Sequence, residues 1–368
     1  MKSRASSDTV TELTEALSEA SFVRPEGTSF WDFLTSSAIG FEKRHFPFLT
    51  RATTPSVKRV FSVPEFFLLS SRGEALAYLY QGFGKSLNYV GPVLDTELEF
   101  GFNDHTDRHT LWVSQTGVEL LQRAGVAYDG DGPYGAQTEV IMTLVGMTHD
   151  LGNFLSRKDH STYSAWLLTR MFKKRDQERK EFQEALRTIL FHEEPVLRQM
   201  NQNLHSGTPL QWALVAADKM HVGRDRIGGR SFQFAHMGAF EKDAHIVLNA
   251  LIVRSTWYLG VSTFVWHLDF SVDQLEDKFK VFTRNGGGTR LWLPQAFQRL
   301  FLRRGQPYRE TYMQLFKETY KDRIAMAAEA VFLLFPFVDK FHIQLSDNDT
   351  RGKVGSSLHT VVRMARSK

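Results

Sequence analysis

The sequence predicts a mostly α-helical protein with a small α/β region toward the C-terminus. Between about residues 105 and 230, apolar residues recur at helical spacing in five separate runs, while after residue 246 the chain turns to β-branched and aromatic residues in period-two alternation. Apolar residues make up 42% of the 368 and charged residues 23%, the balance of a chain that folds around a core rather than staying disordered.

Taken in order, Thr11 to Ala20 reads as a short helix with Leu13 and Leu17 at i,i+4 spacing. Ser62-Val63-Pro64-Glu65 reads as a helix start, with Ser62 as N-cap and Pro64 in the first turn; Phe66 and Phe67 behind it are core candidates. Residues 1–100 are expected to form an N-terminal extension or cap. His109 to Ala124 is amphipathic through Val113, Val118, Leu120 and Leu121. Gln137 to Leu151 is almost continuously apolar and too long for a buried strand, so it reads as a buried helix. Further helices are expected over His160 to Phe172, Glu178 to Phe191 and Pro209 to Met220, giving a helical domain over 101–235. A small α/β domain is expected over 240–348. Its parts are a strand over Thr263 to Phe270, a helix over Ser271 to Phe282 with Ser271 as N-cap, a loop at Asn285 to Gly288, a helix over Tyr308 to Leu334 and a closing strand over Phe341 to Leu345. Residues 349–368 read as a polar tail.

Composition narrows the chemistry. The absence of cysteine excludes disulfides, cysteine nucleophiles, cysteine-ligated zinc and iron–sulfur clusters. The N-terminal residues have no apolar signal region, and no run of about 18 apolar residues offers a membrane span. A cytoplasmic location without membrane contact is therefore expected. The formal net charge is only +4, and the basic runs, such as Lys173-Lys174-Arg175, are short; nucleic-acid binding is not expected. A symmetric homodimer is the base-rate expectation. No Gly-x-Ser-x-Gly elbow and no His-Glu-x-x-His helix occurs.

The chemistry-bearing pair is His149-Asp150, at the end of a very apolar helix. Two ionisable groups in such a place are costly unless they are paired or hold a metal. A carboxylate beside an imidazole suits a hard or borderline divalent cation. His109 precedes the pair, and His160, His192 and Asp218 follow it, each at or near a predicted helix end, the arrangement by which bundles assemble sites. His105 rivals His109 on the same helical face, four residues earlier. Arg157, Lys158, Lys219, Arg224 and Arg226 are candidates for phosphate contact, Arg157 foremost, because the guanidinium fork matches phosphate oxygens. Asp104 and Asp107 are candidate acceptors for an imidazole N–H. His267 and His342, alternating on strands, read as structural.

The order His109…His149-Asp150…Asp218, with the stretches His149-Asp-Leu-Gly-Asn-Phe-Leu-Ser-Arg-Lys-Asp-His160 and Ala216-Ala-Asp-Lys-Met-His-Val-Gly-Arg-Asp-Arg-Ile227, resembles the HD superfamily of metal-dependent phosphohydrolases, in a bacterial branch with unassigned substrates. The motif-bearing stretch covers residues 105–230. The resemblance implies an HD-type helical bundle in which His109, His149, Asp150 and Asp218 hold a first metal. It further implies that Asp150 bridges to a second metal held by His160 and His192. Two features depart from the branch that cleaves cyclic dinucleotides: Asn153 stands where a Lys is usual, and the Gly-Tyr-Pro signature is missing. The further motifs of the deoxynucleotide triphosphohydrolase type are also missing.

The expected activity is hydrolysis of a small phosphorylated substrate, such as a nucleotide, by metal-activated water. Asp150, His105 and Arg157 are the expected catalytic and substrate-contacting residues. Manganese or iron suits the mixed His/carboxylate set better than magnesium, and two ions are expected rather than one. Two alternatives stand beside this: a catalytically silent HD module that binds a nucleotide and transmits a signal, and an HD-type di-iron oxygenase.

Overall fold

A computed structural model describes residues 59–86, 107–126, 137–154, 160–173, 177, 179–193, 204–223, 226, 248–249, 251–270, 316–347 and 358–366. The chain divides into two compact units, residues 1–93 with 113–214, and residues 94–112 with 215–368. The described residues are mostly helical, with one four-stranded sheet. Among them no helix is long and apolar enough to cross a membrane. The expected helices at Thr11 to Ala20 and Ser271 to Phe282, and the loop at Asn285 to Gly288, lie outside the described residues.

The first unit is helical. It contains α1 (Val63–Phe66) and α2 (Arg72–Ser86), and α3 (Asp107–Arg123) from Val113 onward. It continues with α4 (Thr138–Thr148), α5 (His160–Met171), α6 (Lys180–Phe191) and the first half of α7 (Pro209–Met220). Ser62 occupies the cap position of α1 with extended backbone, but its side chain makes no capping bond; its backbone N–H donates to the Tyr78 hydroxyl instead. Phe61 pairs through its backbone with Phe172; their rings stack with centroids 5.1 Å apart, and the Phe182 ring meets Phe172 at a tilt with centroids 4.8 Å apart. Each fully buried ring of this kind contributes about 1.5–3 kcal/mol. Phe66 and Phe67 are buried, as their apolar run predicts.

Helix α4 is the centre of this unit. Ten of its eleven residues are buried, so one small residue sets how closely a neighbour approaches. That residue is Gly146: a Cβ there would lie 2.5 Å from the Ser114 Cα on α3. After α4 the chain makes a tight 3-10 turn, Leu151–Phe154, whose Gly152 presses against the start of α5; a Cβ on Gly152 would lie 2.0 Å from the His160 carbonyl oxygen. The missing side chain at 146 thus lets α3 close on α4, and the one at 152 brings the turn after α4 against the start of α5.

The second unit holds the sheet, in the order β1 (Ile252–Leu259), β2 (Thr263–Phe270), β3 (Lys340–Asp347), β4 (Leu358–Ala365). The β1–β2 and β3–β4 pairs are antiparallel. The β2–β3 pair is parallel, and such a pair needs a crossover; helix α8 (Lys321–Leu334) lies in it. Alternation puts Phe264, Trp266 and Leu268 on one face of β2, in register with Phe341, Ile343 and Leu345 on β3, and all six are buried. The 349–368 stretch, expected as a polar tail, carries β4: Val361, Val362 and Met364 supply β-forming residues between basic ones, and the strand completes the edge of the sheet. The long helix expected from Tyr308 is interrupted at Tyr320, whose backbone leaves the helical region.

Gly146→Ala is expected to destabilise the protein by about 1–3 kcal/mol, because two backbones rather than a flexible side chain must move. Chemical denaturation of variant and parent measures this; an unchanged midpoint would remove the close α3–α4 approach as a constraint.

Candidate metal centre

Helix ends in the first unit place His149, Asp150, His160 and His192. His149 is the C-cap residue of α4, and its Nδ1 lies 2.9 Å from the Gly146 carbonyl oxygen, three residues back. His192 is the C-cap residue of α6 and repeats this local geometry with the Ile189 carbonyl. His160 opens α5, with its Nδ1 2.9 Å from Glu193 Oε1; Glu193 is in turn held by the Ser161 hydroxyl at 3.0 Å. A carbonyl or carboxylate oxygen only accepts, so the hydrogen of each ring sits on Nδ1. In the neutral ring, Nε2 then carries a lone pair.

All three Nε2 atoms face Asp150. Asp150 Oδ2 lies 3.4 Å from His149 Nε2, and Oδ1 lies 3.2 Å from His160 Nε2 and 4.0 Å from His192 Nε2. The His160 and His192 Nε2 atoms are 3.0 Å apart. Three electron-pair donors this close, with Asp150 and His192 buried and His160 half-buried, repel one another unless something positive lies between them. A proton on one imidazole satisfies one contact, whereas a divalent cation satisfies all three. Neighbouring donors around an ion with bonds of about 2.1 Å are separated by about 3.0–3.4 Å in octahedral or tetrahedral arrangements; the His160 contacts at 3.0 and 3.2 Å match this, and the His192–Asp150 contact at 4.0 Å is wider. The donor set Asp150, His160 and His192 therefore fits a divalent metal. Burial opposes a charge on His160, but the Glu193 and Asp150 carboxylates outweigh it and hold the imidazole well above its usual range.

The second unit brings together His109, in the first turn of α3, and Asp218, in the last turn of α7. His109 Nε2 lies 3.4 Å from Asp218 Oδ1. Burial favours the neutral acid at Asp218. The Lys219 ammonium at 2.6 Å, the His109 imidazole at 3.4 Å and the Arg323 guanidinium at 3.6 Å outweigh it and hold the carboxyl well below the ordinary carboxylate range. The end of α7 is satisfied by side chains from distant sequence. Arg323 donates to the Lys219, Asp218 and His221 carbonyls, Arg226 to the His221 carbonyl, and the Ser255 hydroxyl to the Met220 carbonyl. His109 Nδ1 meets His221 Nδ1 at 2.6 Å.

The expected phosphate contacts fare differently. Lys219 is bound to Asp218, and Arg226 is buried as a helix-end donor. His105, Arg157, Lys158 and Arg224 lie outside the described residues, as do the side chains of Asp104 and Asp107. His267 bonds Asp269 at 3.1 Å on the sheet, in keeping with a structural role. Glu193, His221 and Arg323 are not among the residues that the sequence singles out. Glu193 is adjacent to His192 and His221 follows Asp218 by three, so a search for imidazole N–H acceptors near the motif finds both. Arg323 has no local signal.

Two outcomes follow. In metal-free protein, the raised His160 value contributes stability that is full below the unfolded value near 6.5 and is lost as pH rises through the folded value. Thermal melts in chelator should therefore fall with rising pH over that interval, while saturating divalent metal reverses the trend, because metal displaces the proton. A chelated protein that gains stability across this range would contradict the assigned contacts. Separately, Arg323→Ala leaves buried carbonyls at the end of α7 unsatisfied and is expected to cost about 1–3 kcal/mol in urea denaturation.

No family model, curated protein or solved structure matches the chain, so the case for a metal rests on the geometry around Asp150, His160 and His192.

Proposed function

We propose that the protein is a metal-dependent phosphohydrolase that cleaves a small phosphate ester. The observation that carries this is the convergence of His160 Nε2, His192 Nε2 and Asp150 Oδ1 within 3.0–4.0 Å, with each ring turned by an anchor on its Nδ1. Such anchors raise ligand basicity and fix orientation. The sequence pattern adds His109, His149 and Asp218 to Asp150 as a second ligand set. Manganese or iron suits a set of imidazoles and carboxylates. A divalent ion supplies Lewis acidity for the phosphoryl oxygens and activates water near neutral pH.

The chain's own residues do the rest. Asp150 presents both carboxylate oxygens to imidazole nitrogens, so its position is fixed from two sides. The α4 and α6 C-caps give His149 and His192 the same tautomer through main-chain carbonyls, which no change of pH near neutrality removes. Glu193 gives His160 an ionic anchor in the same role. With the hydrolytic nucleophile taken from water, no side-chain nucleophile is required, consistent with a chain that has no cysteine. His105 and Arg157 enter as substrate contacts on their positions beside the motifs.

The test is elemental analysis of protein purified without chelator, together with a phosphate-release screen of nucleotides and simple phosphate monoesters under manganese or iron(II). Bound transition metal and phosphate release, both lost in Asp150→Asn while the fold is retained, are expected. Metal without phosphate release, but with oxygen consumption, would indicate a di-iron oxygenase. Nucleotide binding without turnover would indicate a silent binding module. Absence of metal after reconstitution would overturn the proposal.

A further inference from the structure

Among the described histidines of the metal pattern, His109 has an Nδ1 that meets another imidazole. It meets the Nδ1 of His221 at 2.6 Å, and both rings are buried. The two ring planes are within 6° of parallel. On its other side His221 stacks on Trp112, with centroids 4.5 Å apart and planes within 13°. Trp112 and His109 are three residues apart on α3, so one helix face brackets the His221 ring. The backbone of His221 is equally fixed. Its N–H reaches the Ala217 and Asp218 carbonyls at 3.2 and 3.3 Å, and its own carbonyl accepts from Arg226 at 3.2 Å and Arg323 at 3.4 Å. A buried imidazole held this firmly at both ring and backbone has a defined direction for its nitrogen lone pair.

For His109 to ligate through Nε2, which lies 3.4 Å from Asp218 Oδ1, its hydrogen must be on Nδ1 and needs an acceptor. We infer that His221 is the positioning residue of His109: its Nδ1 accepts the His109 Nδ1–H and so turns the His109 Nε2 lone pair toward the metal. This rests on His109 being a ligand, as proposed above. It assigns His221 a role through a neutral acceptor, where His160 uses the Glu193 carboxylate and His149 and His192 use main-chain carbonyls.

The test separates packing from hydrogen bonding. His221→Phe keeps a ring to stack on Trp112 and removes the acceptor; His221→Asn removes the ring and places an amide oxygen near the position of Nδ1. Manganese affinity is measured on the full chain by chelator competition, and the fold by thermal melts in chelator. His221→Phe is expected to bind manganese about 10–100-fold more weakly than the parent, the usual cost of losing such a partner. His221→Asn is expected to recover most of that loss. If the phenylalanine variant does not fold, His221→Leu removes the acceptor at smaller volume and serves the same purpose. Parental affinity in the acceptor-less variant, or equal weakening in both variants, overturns the assignment. Three controls locate a failure. A parent protein that binds no manganese overturns the metal proposal and this one with it. A His109→Ala variant with parental affinity shows that His109 is no ligand and removes the role of His221. Loss of affinity in His109→Ala with none in His221→Phe overturns the role of His221 alone.

Discussion

Everything at the candidate centre depends on where one hydrogen sits on each buried imidazole. His149, His160 and His192 each give up Nδ1 to an oxygen, and that commitment turns Nε2 toward Asp150. A flexible histidine would present either nitrogen in either tautomer, and the three lone pairs would not converge. The restriction comes from ordinary secondary structure. Two of the three rings fold back on the carbonyl three residues earlier at a helix C-terminus, where carbonyl groups lack intrahelical partners. The same bond that orients the ring therefore also satisfies the end of the helix.

The two carboxylates are treated in opposite ways. Asp218 has Lys219 and Arg323 as permanent cationic neighbours and is ionised whatever else binds. Asp150 is faced by the imidazoles of His149, His160 and His192, with the Glu193 carboxylate on the far side of the His160 ring. A buried charge is costly unless it is paired, and at Asp218 the paired charges are Lys219 and Arg323.

Much of this was legible in the sequence. Helices α3 to α7 start and stop within a few residues of where apolar spacing puts them, because α4 and its neighbours bury a clear stripe or a whole surface, whereas α2, in the glycine-punctuated stretch after Phe67, is not expected from the sequence. His149 and Asp150 stand out in the sequence because ionisable residues at the end of an apolar helix are costly without a purpose; His160 and His192 stand out as helix-end histidines to which the resemblance gives a ligand role. Less legible was whatever depends on distant chain. β4 hides in a stretch whose polar and basic residues mask a strand that needs only β3 beside it. The break at Tyr320 follows from tertiary contacts, its hydroxyl reaching Asn249, and not from any helix-stopping residue. The orienting residues Glu193 and His221 sit within three positions of predicted ligands, but only geometry shows that their acceptor atoms point at a ring nitrogen.

Arg323 closes the end of α7 from 105 residues further along the chain. During synthesis at about 5–20 residues per second, the Asp218 carboxylate and its carbonyls thus wait about 5–20 s for the guanidinium that completes them. The donors around Asp150 have no such wait, since their last member, Glu193, has already emerged by then. A nascent chain therefore passes through an interval in which every residue of the Asp150 cluster has been made while the end of α7 still waits for its guanidinium.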